Sequence, residues 1–466
     1  MKNFFLFQGL SVLISDHKGD EKMSKKGIVL SVLAFVAASF LLSSGGYSAA
    51  DNPVNSYMLI FQYADLPENI GQQIAVANGE MTAGIKQIGV AVASSSDPKF
   101  IDKASRISGI RSVVLDPVIQ WGSPELIVEE TPNGYGDPYG DPFFQDQWNL
   151  FIIHACPGND ALGVWTPGAW DLGARGQGAT VFVLDGGINS QNLDISPNLN
   201  TSLCKSFVPG EGWDVSPGIK NYHGTHVAGI IAAAQNGFGI IGVAPEAKLV
   251  AVKVLSGKNG FGKLSYLNEG IVYAADNGAN VINMSLGGLL PSRSGYWNEN
   301  GFYVTAKMVG EILHATQRAV TYAYQKGATL VAAAGNFNID ADHDQNAVIL
   351  PAQLAHVIAV SATDFWDLPW YGTNYGQSLI SFAAPGDWIL SDINNNKFAY
   401  WSGTSQAAAH VAGVAALIIG QNGGSLHPAQ VESVLKQSAD DLGKPGNDDY
   451  YGKGRVNAYK AVLYSR

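Results

Sequence analysis

Cysteine is nearly missing: Cys156 and Cys204 are the only two in 466 residues. That excludes a disulfide framework and a zinc site built from cysteines alone; one disulfide or two buried thiols both fit. Charge is also scarce, at 14% of residues against a hydrophobic fraction of 46%, which excludes a disordered or coiled-coil chain. Positive charge is the scarcer sign: 28 Lys and Arg stand against 39 Asp and Glu, for a net charge of -11. No basic block with interleaved aromatics occurs, so nucleic acid is not an expected partner. What is abundant is glycine, with 54 residues, as in a compact, tightly turned globular protein.

In chain order, Phe4 to Ile14 is apolar but is followed by Asp16, His17, Lys18, Asp20, Glu21 and Lys22, and Met23 makes the better start. From it run Lys25-Lys26, the apolar stretch Ile28 to Leu42, and Ser48-Ala49-Ala50, in secretory order, so residues 1–50 are read as leader and signal peptide and the protein as secreted. The apolar stretch, about 15 residues, is short of the roughly 20 that span a bilayer, so no stable membrane anchor is expected. Residues 51–121 read as a small α+β unit: a strand from Tyr57 to Gln62, a helical stretch near Pro67 to Met81, a strand from Ile85 to Ala93, a helix capped by Asp97 with Pro98 behind it, and a last strand from Arg111 to Ile119. Residues 122–146 are broken by Pro132, Gly134, Gly136, Pro138, Gly140 and Pro142 and read as a linker and maturation region. Over 147–466, strand-like runs at 179–184, 248–254, 280–284, 328–333 and 356–360 alternate with helical ones, which predicts an α/β fold: a parallel sheet with helices on both faces. In such sheets chemistry lies beyond the carboxyl ends of the strands.

Three strand or helix ends carry reactive groups. Val181 to Asp185 is an apolar strand ending in a carboxylate, followed by Gly186-Gly187; His223-Gly-Thr-His226 opens a small-residue helix; Leu330 to Asn336 ends a strand in glycine and a side-chain amide. A fourth stretch, Trp401-Ser-Gly-Thr-Ser405, turns directly into the apolar helix that carries Ala407, Val411, Val414 and Ile418 at helical spacing. A serine at such a turn is either a helix cap or a presented nucleophile. Gly257 to Leu264 nearly reads as a phosphate loop, but Leu264 replaces the hydroxyl that would hold magnesium, so no nucleotide is expected.

Together these stretches resemble the subtilisin-like serine proteases, or subtilases. The matching residues are Leu184-Asp-Gly-Gly-Ile188, His223-Gly-Thr-His-Val-Ala-Gly229, Ser285-Leu-Gly-Gly288, Ala332-Ala-Ala-Gly-Asn336, and Gly403-Thr-Ser405 with His410-Val-Ala-Gly413, all in family order. The resemblance spans about Asp141 to Ala461. It implies a subtilisin-like sheet preceded by a ferredoxin-like pro-domain that serves as an intramolecular inhibitor. Ser405 would be the nucleophile, His223 the base, Asp185 its orienting acid, and Asn336 an oxyanion-hole donor. The chain order Asp, His, Ser separates this fold from other serine hydrolases.

It further implies that Gly260-Phe261-Gly262 and Ser285-Leu286-Gly287 are two backbone edges that clamp an extended polypeptide substrate as an added strand. Calcium is implied at Asp141, Asp194 and the Gln235-Asn236-Gly237 loop, whereas the Asp340, Asp342, His343, Asp344 cluster reads as a solvated loop. No organic cofactor is implied, and a monomer is the expected state. Two positions depart from the family pattern: Gly186 stands where serine or threonine usually follows the acid, and Ala409 where proline usually precedes the histidine of the nucleophile helix. Residues 289–313 are longer than the common pattern, as an access-restricting insertion would be. The expected activity is a zymogen-derived serine endopeptidase; a catalytically silent peptide-binding member and a narrow processing protease are the other readings.

Overall fold

The computed structural model describes residues 53–120, 127–130, 140–159, 165–215, 222–293, 295–297, 303–344 and 346–466. The expected leader and signal peptide, residues 1–50, lie outside them.

The first element is a four-stranded antiparallel sheet of order β2-β3-β1-β4, made by β1 (Asn55–Phe61), β2 (Glu80–Ile85), β3 (Val90–Ser95) and β4 (Ile110–Leu115). Two short helices, α1 (Ile70–Val76) and α2 (Phe100–Ala104), bury Ile70, Ile74, Phe100 and Ala104 against it. The helical stretch expected over 67–81 is cut short because Asn78 adopts a left-handed conformation (φ 68°), and the next residues open β2. The strand expected over 85–93 is likewise two strands joined by a 3-10 turn at Lys86–Ile88. Pro117 interrupts the last expected strand. Beyond it β5 (Val118–Gln120) leaves the small sheet and pairs antiparallel with a strand of the larger one's surroundings, described below.

After β6 (Ile127–Glu130), α3 (Trp148–Ile152) and a two-residue pairing of β7 (Gly158–Asn159) with β8 (Trp165–Thr166), the large sheet begins. Its strands are β9 (Thr180–Asp185), β10 (Lys205–Ser206), β11 (Lys248–Lys253), β13 (Val281–Met284), β17 (Thr329–Ala333), β19 (Val357–Thr363) and β20 (Phe382–Pro385). They run parallel in the order β10-β11-β9-β13-β17-β19-β20. The near-continuous apolar runs suit strands buried on both faces. Their side chains alternate: Phe182, Leu184, Val250, Val252, Ile282 and Leu330 enter one core, and Val181, Val183, Leu249, Ala251, Val281 and Val331 the other.

The first core is closed by α5 (Leu264–Asp276) and α6 (Ala306–Gln325), the second by α4 (His223–Ala232), α7 (Thr404–Gln421), α8 (Pro428–Ser438) and α9 (Ala458–Tyr464). The chain passes from β9 to β11 on one side and then to β13 on the other, so the order reverses beside β9. A crevice forms at the carboxyl end of such a switch point, and Asp185 ends β9 there. The peripheral strands are β12 (Phe261–Lys263), which pairs with β5; β14 (Gly288–Pro291) with β18 (Ala347–Leu350); β15 (Tyr296–Trp297) with β16 (Tyr303–Val304); and the three-stranded β21 (Ile389–Ile393), β22 (Lys397–Trp401) and β6. Among the described residues of 289–313 are most of β14, the paired strands β15 and β16, and the first turns of α6, which Thr305 caps by accepting the Met308 N–H at 3.2 Å. Asp141 and Phe144 are buried in the larger body.

Candidate active site

At the end of β9, Asp185 is 1% exposed, and its Oδ2 lies 2.7 Å from Nδ1 of His223, the first residue of α4. That separation belongs to a charge-assisted hydrogen bond in which Nδ1–H donates. The other carboxylate oxygen accepts the Gly186 N–H at 2.6 Å. With glycine at 186, the backbone therefore supplies a hydrogen bond to Asp185. Gly224 is required by the approach: a Cβ there would lie 2.3 Å from the Gly187 carbonyl oxygen and 3.1 Å from Asp185 Oδ1, so only glycine lets α4 start against the acid.

Ser405 is the second residue of α7 and is 5% exposed. It exchanges two bonds with the 285–287 stretch: its Oγ donates to the Ser285 carbonyl at 3.1 Å, and its carbonyl accepts from Ser285 Oγ at 2.7 Å. Asn283 Nδ2 supports Ser285 Oγ in turn at 2.9 Å. Asn336 is fixed by Thr404, whose N–H and Oγ1–H both donate to Asn336 Oδ1, at 2.9 and 2.7 Å. With its oxygen held, the amide nitrogen is the end turned away from Thr404. The approach needs Gly335 at φ 98°, where a Cβ would meet Asn374 Nδ2 at 2.4 Å. The helix continues unbroken through buried Ala409, and His410 is held between Asn149 and the Gln406 carbonyl.

Of the two stretches expected to clamp a peptide, Phe261 and Gly262 lie in β12, and Ser285–Gly287 connects β13 to β14. The Phe261–Lys263 edge is already engaged by β5, which also lies against β14. With β5 in place, Leu286 and Leu264 are 1% and 0% exposed and pack in the first core. Cys156 and Cys204 are both thiols, not the ends of one disulfide, and burial pushes Cys204 up to about 11.

The expected calcium residues converge on one loop. Asp141 Oδ1 accepts the N–H groups of Asn236, Gly237 and Phe238 at 3.1, 3.0 and 3.2 Å, and Asp194 Oδ2 accepts that of Ile240 at 3.0 Å. Asn236 braces the loop from within, through Phe238 N–H and the Leu193 carbonyl. Asp194 is pushed up first by burial and then by the neighbouring Asp392 carboxylate. Among the described residues no group of three or more His, Cys, Asp or Glu side chains is disposed to hold a metal. His343 and Asp340 form an exposed 2.9 Å pair, as a solvated loop would.

Sequence reasoning passed over two residues. Lys253 is 2% exposed, lies opposite Asp185 in the ladder, donates to the Gly186 carbonyl and pairs with Glu211 at 3.2 Å. Its only signal was a lysine ending an apolar strand. Trp401 stacks on two imidazoles, and nothing but its place four residues before Ser405 pointed to it.

A paired acid and imidazole, a helix-start serine and an oriented side-chain amide at the carboxyl ends of a parallel sheet are the layout of a serine hydrolase. A family model described as the subtilase family, Peptidase_S8, matches residues 176–454. The chain is 38% identical to thermitase from Thermoactinomyces vulgaris over 307 residues, 65% of this chain and 94% of thermitase. It is 38% identical to M-protease from Shouchella clausii (strain KSM-K16) over 435 residues, 93% of this chain and 98% of that protein. Two solved structures share the fold: a serine-to-alanine mutant of the epidermin leader peptide processing serine protease from Staphylococcus aureus, with TM-score 0.72, 23% identity and coverage of 89% of this chain and 100% of that one; and fervidolysin from Fervidobacterium pennivorans, with TM-score 0.68, 24% identity, and coverage of 90% of this chain and 62% of that one. The chain belongs to the subtilase family and is a serine endopeptidase.

Proposed function

We propose that Ser405, His223 and Asp185 carry the reaction, and the observation that carries this reading is the 2.7 Å Asp185–His223 bond beside a helix-start serine. Rotation of Ser405 about its Cα–Cβ bond turns Oγ from the Ser285 carbonyl toward the imidazole. His223 then takes the serine proton as Oγ attacks the scissile carbonyl, and returns it to the leaving amine; water repeats the cycle on the acyl-enzyme. Asp185 keeps the proton on Nδ1 and stabilises the imidazolium. The Asn336 amide nitrogen and the Ser405 N–H meet the developing oxyanion; losing such a side-chain donor costs about 100- to 1000-fold in kcat, a magnitude known for a subtilisin and not one derived for this chain. The test is stoichiometric labelling by a serine-reactive phosphonate, lost in Ser405→Ala. An unlabelled wild-type protein would overturn the reading in favour of a silent peptide binder.

The same reading extends to maturation. Residues 51–121 act as an inhibitory pro-domain and residues 23–50 as a secretory leader, giving a secreted, monomeric enzyme that acts on polypeptides. Support comes from the chain's own path: β5 pairs with the β12 edge and β6 with β22, the strand that leads to Ser405. The bond cut on maturation therefore lies between Gln120 and Ile127. N-terminal sequencing of the matured protein checks this, and a first residue outside 121–127 would refute it.

Calcium at the 235–240 loop is part of the proposal. The Asp194 Oδ1 atom is buried without a hydrogen-bond partner, close to Asp392 and Asp141, and clustered hard oxygens of this kind fit a divalent cation. Asp141 and Asp194 would hold it, with a structural effect on the loop and no part in the reaction. A chelator should lower the thermal unfolding midpoint read by circular dichroism, since a ligand bound only by the folded state adds stability; an unchanged midpoint counts against both ligands.

A further inference from the structure

Trp401 ends β22 and is 4% exposed, and its indole is nearly parallel to two histidine rings of α4. The His226 ring lies 4.6 Å away at 9°, and the His223 ring 5.8 Å away at 23°. Both separations fall in the range of offset-stacked aromatic pairs. The buried indole N–H has no hydrogen-bond partner, so the ring's orientation is set by its faces and not by its polar edge. His226 is the fixed side of the arrangement. It is fully buried, its Nε2 donates to the Ala399 carbonyl at 3.0 Å, and burial pulls it down to about 3, so it stays neutral at any working pH. Asp185 is bonded to His223, and the Lys253–Glu211 ion pair lies behind that carboxylate.

We propose that Trp401 is a positioning residue for the reaction: seated on His226, it holds the His223 ring in the plane that meets Asp185 and offers its π face to the imidazolium formed when Ser405 gives up its proton. The inference rests on the reading of His223 as the base. Its physical content is twofold. A ring held on one face and at one edge has little freedom to turn, so Nε2 stays aimed where the serine proton arrives. A cation within about 6 Å of an indole centroid is attracted by the ring quadrupole, and this attraction exists only after proton transfer, so it favours the charged state over the resting one.

The test compares Trp401→Ala, Trp401→Leu and Trp401→Phe in the full chain, allowed to mature, with a short chromogenic amide that has no residues beyond the scissile bond. Trp401→Ala should lower kcat about tenfold with KM within about twofold, and should move the acid limb of kcat/KM about half a pH unit toward acid, because the imidazolium loses a favourable contact. Trp401→Phe should restore most of both effects. Trp401→Leu, which fills space without a π face, should recover part of kcat and none of the shift, and it keeps the test alive if the alanine variant does not fold. A change confined to KM would make Trp401 a wall of the substrate cleft and overturn the proposal, as would an unmoved acid limb in all three. Failure of the underlying reading would show separately, as activity surviving in His223→Ala.

Discussion

The core under α7 and the junction between the two sheets are held by different forces. Every residue of α7 from Thr404 to Ile419 is buried, and the helix packs apolar surface on α4 and on β13, β17, β19 and β20. The junction has apolar contact too, but its distinctive ties are polar. Arg318 of α6 donates to the backbone carbonyls of Phe61, Ile88 and Gln62 at 2.8, 3.1 and 2.9 Å, and Arg111 of β4 grips Glu311. Gln87 reaches Asp276, and Asp116 accepts both the N–H and the hydroxyl of Ser265 at the start of α5, a helix with no side-chain cap of its own. Apolar burial responds little to pH or salt, whereas hydrogen bonds to charged groups respond to both. The body is held mainly by apolar burial and the junction more by directed polar ties, the arrangement that the proposed removal of residues 51–121 would need.

The largest effect should come from breaking the core. Leu417→Ala empties a fully buried site in α7, which should cost about 2–5 kcal/mol, read as a shifted urea midpoint of the Ser405→Ala chain. Next is Arg318→Ala. Losing charge-assisted bonds to three carbonyls should cost about 2 kcal/mol, or roughly 30-fold, in hydrogen-exchange protection of β1 and β3, while protection in α7 stays unchanged. Equal losses in both regions would erase the distinction.

A smaller effect is expected from pH. Glu269 of α5 is raised to about 7, first by burial and then by Asp116. The docked state thus favours its neutral form: the stabilisation is full below about 4.5 and fades as pH rises through 7. His314 of α6 works the other way. Burial and then Arg318 and Arg111 lower it, so its contribution is full above 6.5 and falls as the solution is acidified. Protection of the small sheet, corrected for intrinsic exchange, should lose its alkaline fall in Glu269→Gln and its acid fall in His314→Gln.

The same contrast governs what was legible beforehand. The central strands and α7 were readable because their cause is local: apolar runs and helical spacing lie in consecutive residues. Asp185, His223, Asn336 and Ser405 were readable because each closes or opens such an element beside glycine. The break at Pro117 was visible as a residue type, but where β5 would go was not, since its partner at 261–263 is distant in sequence. Arg318, Asp116, Lys253 and Trp401 were invisible for that reason: each acts on a group that only folding brings near.

Arg111→Ala should be the mildest of these changes, and it divides the junction itself. Its guanidinium meets Glu311 in a two-pronged pair, Nε to Oε2 at 2.7 Å and Nη2 to Oε1 at 3.2 Å, but the arginine side chain is 44% exposed. An exposed pair gains little over hydration and is screened by salt, so small-sheet protection should fall only a few-fold at low ionic strength and by nothing measurable in roughly 1 M salt. Arg318 faces neutral carbonyls from a more sheltered position, and screening acts on its bonds far less. The loss in Arg318→Ala should therefore survive in the same salt. If both losses vanish together, the junction is held by net charge and not by the directed bonds of Arg318.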